Sequence, residues 1–243
     1  PQDNILTSDA TNSGDVLDVY ITPNDGTLDG TTKNLASTVT IGPVISTSGS
    51  FSTFTSCTGS DGAEQSFTVS GSGLSTNLLV VNAPTGYEVS KTSGSGFSSS
   101  VNFTPSSGTV SNLPVYVRLT SSASNGASGN ITCESTGATT VNVATGAGTV
   151  NALPTISSQP SNGSDVCEGG SPSSMSVAAT GGSGSYTYQW YSNGSNSNSG
   201  GSSIGSATSS SYSPPGSSAG TIYYYCIVSD GNSCSVTSNT ASQ

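Results

Sequence analysis

Apolar residues in this chain alternate with Ser and Thr in short runs, roughly five to eight residues long, and Gly, Pro or Asn bounds each run. Val115, Val117 and Leu119 alternate with Tyr116 and Arg118 in this way. A period of two sends successive side chains to opposite faces of a strand, so one face of each run can be buried while the other meets water. Helical periodicity is almost absent. Turn-forming residues return about every ten positions, the spacing of a β-sandwich. The chain is therefore expected to be all-β.

The 243 residues leave room for two sandwiches of about 100 residues each. Residues 1–42 form an acidic N-terminal β segment with Asp3, Asp9, Asp15, Asp18, Asp25 and Asp29 but no Cys or Phe. Its strand-like runs are Val16–Ile21 and Thr38–Ile41, too few to close a core alone. Residues 43–150 read as a first sandwich, with runs at Val44–Phe54, Gln65–Ser70, Leu78–Asn82, Tyr87–Lys91, Ser100–Thr104, Val115–Thr120, Asn130–Glu134 and Thr140–Thr145. After the linker Asn151–Pro154, residues 151–243 read as a second, with runs at Met175–Ala179, Tyr186–Tyr191, Tyr212–Ser213, Thr221–Ser229 and Ser235–Ala241.

Charged residues make up 7% of the chain, against about 25% in an ordinary soluble domain. The only cations are Lys33, Lys91 and Arg118, there is no histidine, and the formal charge is −10. Nucleic acid and anionic lipid are thus excluded as partners. No apolar run approaches the roughly 18 residues a membrane span needs. Five cysteines in so polar a chain point to an oxidising, extracellular compartment. A chain opening on Pro1 is expected to be a processed mature protein or an excerpt of a longer one.

In the last region, Tyr188-Gln189-Trp190-Tyr191 and Tyr224-Tyr225-Cys226 resemble strands C and F of an immunoglobulin-like domain, with Tyr224 at the tyrosine corner. Val166-Cys167-Glu168-Gly169, Gly231-Asn232-Ser233-Cys234 and Thr237-Ser238-Asn239 extend the pattern. It resembles the immunoglobulin-like repeats of large secreted Bacteroidetes surface proteins of the adhesin and gliding class. The middle region resembles a companion module through Ala63–Gly71, Pro84–Ser90, Val115–Leu119 and Gly129–Thr132. The resemblance implies secretion, tandem antiparallel immunoglobulin-like sandwiches, and work in adhesion or filament building without catalysis.

Cys57 and Cys133 are the only cysteines of the first sandwich and are expected to pair. For the second sandwich, the resemblance implies a Cys167–Cys234 bridge, leaving Cys226 as a buried free thiol. A Cys167–Cys226 bridge stays open as the alternative. The last strand stops early at Ser242-Gln243 while the N-terminal segment lacks a domain. Either the segment, through Val16, Val19 and Ile21, adds a strand to a neighbouring copy in a head-to-tail fibre, or it is the tail of a preceding module.

Without histidine, Ser–His–Asp and Cys–His catalysis and ordinary zinc sites fail on inventory, and Glu64, Glu88 and Glu134 show no sign of converging as a glycosidase pair. No cofactor is expected, with calcium at Asp25 and Asp29 the one candidate, although Asp and Asn also simply favour turns. Tyr191, Tyr223 and Tyr225 have the parity opposite to Trp190 and Tyr224. They could face outward towards a partner subunit or a sugar, or pack across the sheet surface. The expected function is an extracellular structural or adhesive subunit of a surface fibre; the rival is a carbohydrate- or protein-binding module of a larger secreted protein.

Overall fold

The computed structural model describes residues 42–216 and 220–243, and before them only the backbone of Val19–Ile21 and Lys33–Leu35. The described residues form strands and turns without a helix. Val19–Ile21 and Lys33–Leu35 pair with each other, antiparallel; Val16 and the run at 38–41 lie outside the described residues. By its contacts the chain falls into two units: Pro1–Phe54 with Gly62–Gly148, and Thr55–Asp61 with Thr149–Gln243.

The first unit has two four-stranded sheets. One runs in the order Val44–Ser48, Gln65–Ser72, Val110–Leu119, Tyr87–Ser90, and the other Val141–Ala144, Asn130–Glu134, Leu79–Asn82, Ser100–Phe103. Every neighbouring pair is antiparallel. The period-two pattern works as expected: Phe67, Val69, Val115, Val117 and Leu119 from one sheet and Leu79, Val81, Val101, Phe103 and Ile131 from the other are buried. Fully burying such side chains contributes about 1.5–3 kcal/mol each. A Cβ at Gly71 would come 2.7 Å from Leu74 Cδ1, so a larger residue there would require the buried Leu74 side chain to shift.

The long run at Val44–Phe54 is not one strand. It stops pairing at Ser48, where Gly49 takes φ +120°. Beyond it the Gln65 side chain substitutes for a partner strand, with Ser52 N donating to Gln65 Oε1 at 2.8 Å and Gln65 Nε2 donating to Ser52 O at 3.0 Å. Phe54 then anchors the segment in the core, edge-on to Tyr87 at 5.2 Å.

The second unit is built on Tyr186–Asn193 and Tyr223–Asp230, paired antiparallel with Trp190 opposite Cys226. Ser202–Ser203 flanks the first of these strands, and Ser235–Thr237 and Ala241–Ser242 share the far side of the second. Against this sheet lie the pairs Pro154–Ser158 with Ala178–Gly181 and Met175–Ser176 with Ser211–Tyr212. The core is Met175, Val177, Trp190, Tyr224, Cys226, Val228 and Ala241. Trp190 is fully buried, and its Nε1 donates to Ser209 O at 2.9 Å.

The last strand is short and in two pieces, Ser235–Thr237 and Ala241–Ser242. Ser238 interrupts it as a buried bulge, its hydroxyl accepting from Cys226 N at 2.9 Å, and pairing then resumes. Gln243 and Ile222 exchange backbone bonds of 2.8 and 2.9 Å, so the last strand accompanies its neighbour back past Tyr223. The rest of strand Tyr223–Asp230 on that side is taken by Ser235–Thr237 and Ala241–Ser242.

Candidate functional site

The best-defined polar construction is the junction around Cys57 in the second unit. Strand Thr55–Cys57 pairs parallel with Thr149–Asn151, placing Cys57 beside Asn151. Thr58 N donates to Asn151 O at 2.9 Å, Asn151 Nδ2 donates to Ser56 O at 3.4 Å, and Asn232 Nδ2 donates to Asn151 Oδ1 at 3.2 Å. The Asn151 amide thus links this short ladder to the turn that carries Cys234.

That turn is organised by Asp230. Its Oδ1 accepts from Asn232 N at 2.9 Å and Cys234 N at 3.0 Å, and its Oδ2 accepts from Ser183 N at 2.8 Å. Asp and Asn are turn formers because their side chains can bond the backbone a few residues on, and Ser233 closes the turn at φ 63°. Cys234 is thereby held for a disulfide to Cys57, with a Cα–Cα distance of 5.6 Å and a sequence separation of 177. An open hollow of about 290 Å³ beside the bond is lined by Ser56, Ser60, Asp61, Asn151, Asn232 and Ser233. This chemistry makes a crosslink with a hydroxyl- and amide-rich wall.

Burial alone would push the Asp230 carboxyl up, but the amide donors of Ser183, Cys234 and Asn232 together outweigh it and hold its pKa below the usual value. A depressed carboxylate stabilises the fold fully above its unfolded pKa of about 3.9, and the contribution is lost as the pH falls through the lower folded value. The melting temperature of the second unit should therefore hold above about pH 4 and fall below it. Asp230→Asn should show a shallower acid slope. Equal slopes for the two proteins, read from Trp190 fluorescence, would remove Asp230 from this role.

The pairing differs from the expected one. Cys133 is unpaired: it lies in the first unit's core, between Val81 and Val141, whereas Cys57 belongs to a segment of the second unit. Cys167 is also unpaired and is exposed in a turn, where Gly170 N donates to its carbonyl at 2.8 Å; Cys234 is already bonded to Cys57. Cys226 is unpaired and buried opposite Trp190.

Burial pushes both buried thiols up to about 11, with Glu134 adding to the shift at Cys133. Because the thiolate is the reactive form, maleimide at pH 8 should label Cys167 alone in the folded protein. Cys133 and Cys226 should become available only on unfolding. Intact-mass spectrometry distinguishes one adduct from two or three, and rapid labelling of either buried thiol would contradict the placement.

Tyr225 is 3% exposed and cannot serve as the outward contact residue its parity suggests. Its ring stacks on Tyr191, centroids 5.1 Å apart and planes 5° apart, and its hydroxyl accepts from Gly201 N at 3.1 Å. The loop leading into Ser202–Ser203 has closed over it. Tyr191 and Tyr223 are half-buried. Val19 and Ile21 lie in the N-terminal strand pair. Asp25 and Asp29 lie outside the described residues, and among the described ones no group of three or more His, Cys, Asp or Glu gathers.

In the first unit, Arg118 Nε donates to Glu88 Oε1 at 2.6 Å, and the guanidinium carbon lies 4.1 Å from the Phe97 ring centroid. Glu64 accepts from the Ser93 hydroxyl and from Gly94 N; these bonds, with a smaller contribution from Arg118, lower its pKa. A general acid needs the opposite displacement.

The sheets define two immunoglobulin-like β-sandwich modules. A family model described as a domain of unknown function (DUF8696) matches residues 155–242. No curated protein matches the chain. Similar solved structures include the N-terminal eight Ig domains of Down Syndrome Cell Adhesion Molecule (DSCAM), at 11% identity and TM-score 0.32, covering 87% of this chain and 27% of that one. Fibronectin(III)-like modules of Clostridium thermocellum CbhA match at 14% identity and TM-score 0.33, covering 82% and 92%. A titin fragment matches at 11% and 0.34, covering 90% and 71%. No helix among the described residues is long and apolar enough to cross a membrane.

Proposed function

We propose that the chain is an extracellular structural module, a repeating or subunit element of a surface fibre or adhesin, and that its work is mechanical. The Cys57–Cys234 disulfide carries this reading. It closes a sequence separation of 177 residues in a protein with only three cations and a hydroxyl-rich composition, and such bonds persist in oxidising compartments. The likeness of residues 43–243 to repeats of secreted Bacteroidetes surface proteins supports the same reading. Because both pieces of the last strand, Ser235–Thr237 and Ala241–Ser242, are already paired with Tyr223–Asp230, copies would join through surfaces or sheet edges.

Negative-stain electron microscopy of the purified chain at increasing concentration tests assembly. Ordered filaments, or a ladder of head-to-tail oligomers in sedimentation, are expected. A strictly monomeric chain that is retained on a glycan array would instead establish the binding-module reading.

A further inference from the structure

We propose that the Cys57–Cys234 bond is a force shunt: tension applied along the chain from outside these two residues passes through the disulfide and bypasses nearly the whole core of both units. Covalent connectivity alone carries the inference. A pull on the chain before Cys57 and after Cys234 reaches the sulfurs from both sides, so residues 58–233 form a closed loop off the loaded path. Among the described buried apolar residues, only Ile45, Phe54, Cys234 and Ala241 lie outside that loop. Phe67, Val69, Val81, Val117, Ile131, Met175, Trp190 and the rest of the core lie within it.

The elements left on the loaded path are few. On one side is Val44–Ser48, paired along one edge with Gln65–Ser72, followed by Thr55–Cys57. On the other side are Ser235–Thr237 and Ala241–Ser242. These can peel away, withdrawing Ile45, Phe54 and Ala241 from the cores, while residues 58–233 stay off the loaded path, so the oxidised chain is extensible only at its margins. The placement of Cys57 in a segment of the second unit makes this possible, because a Cys57–Cys133 bridge would have shielded the first sandwich alone. The shunt acts on a single chain whether or not copies assemble, so its test is independent of the fibre reading.

The test is single-molecule stretching of the full chain through handles fused at both ends. Without reductant, the extension should end short of the fully unfolded length by about 600 Å, the reach of 177 residues at roughly 3.3–3.6 Å each. A soluble dithiol added under tension supplies two electrons, becomes a disulfide itself and leaves Cys57 and Cys234 as thiols. That length should then be released. Cys57→Ser should release it with no reductant. If that variant does not fold, the reduction experiment on the native chain decides alone. An oxidised chain that reaches full length, or one that gains nothing on reduction, overturns the proposal.

Discussion

Replacing Trp190 with alanine should melt the second unit while leaving the first in place. Trp190 is fully buried among Met175, Val177, Tyr224 and Val228, and its ring lies 5.8 Å from that of Tyr212. Removing an indole from such a site costs about 3–5 kcal/mol, partly from lost transfer energy and partly from the cavity. The Ser209 carbonyl also loses its donor, an added cost of about 1 kcal/mol or more. A domain's whole stability is typically about 5–15 kcal/mol, so this is a large share. Calorimetry should show the second unit's transition falling by many degrees or vanishing while the first unit's stays where it was. Trp190→Phe should lose less. An unchanged second transition in Trp190→Ala would mean that the core is not centred on this residue.

Removing the disulfide by Cys57→Ser should be comparably costly, but by a different route. The bond acts mainly by restricting the unfolded chain. The chain-entropy treatment gives about 5 kcal/mol for a loop of this size, and losing a native disulfide from a secreted domain typically costs 2–5 kcal/mol. Trp190 is the only tryptophan and lies in the second unit, so its fluorescence in a denaturant titration reports the loss directly. Cys167→Ser should leave the curve unmoved, since Cys167 is exposed and unpaired. Under a Cys167–Cys234 bridge, the costly substitution would be Cys167→Ser instead.

The strands were largely legible because alternation is a local signal. Gln65–Ser72, Tyr87–Ser90, Asn130–Glu134 and Tyr186–Asn193 fall on the expected runs, and the inward set Val115, Val117 and Leu119 is completely buried. Misses came where pairing is non-local or a turn residue intervenes. Pro154 falls in the expected linker and no strand is expected at 154–158, yet Pro154–Ser158 pairs with Ala178–Gly181. Thr149–Asn151 is a strand only because Thr55–Cys57 lies beside it. Val44–Phe54 had a warning in Gly49, whose φ of +120° is one that an ordinary strand residue does not adopt.

The site was less legible than the fold. Which cysteines pair depends on which segments the fold brings together, and spacing cannot decide this at a separation of 177 residues. Assigning each cysteine to the domain around it in sequence fails when a segment of one region belongs to the other unit, as Thr55–Asp61 does. The parity of Tyr225 pointed it outward, and only the return of the chain at Gly201 covers it. One local signal for the junction was present in Asp230-Gly231-Asn232-Ser233, a run of turn formers immediately before Cys234 that marks a structured turn.

The most direct measurement is peptide mapping of the native protein by mass spectrometry under non-reducing conditions, with free thiols blocked before unfolding and again after it. One crosslinked peptide pair containing Cys57 and Cys234 is predicted, with Cys167 blocked in the first step and Cys133 and Cys226 in the second. Crosslinks joining Cys57 to Cys133, or Cys234 to Cys167, would contradict the account of the junction and the mechanical role built on it.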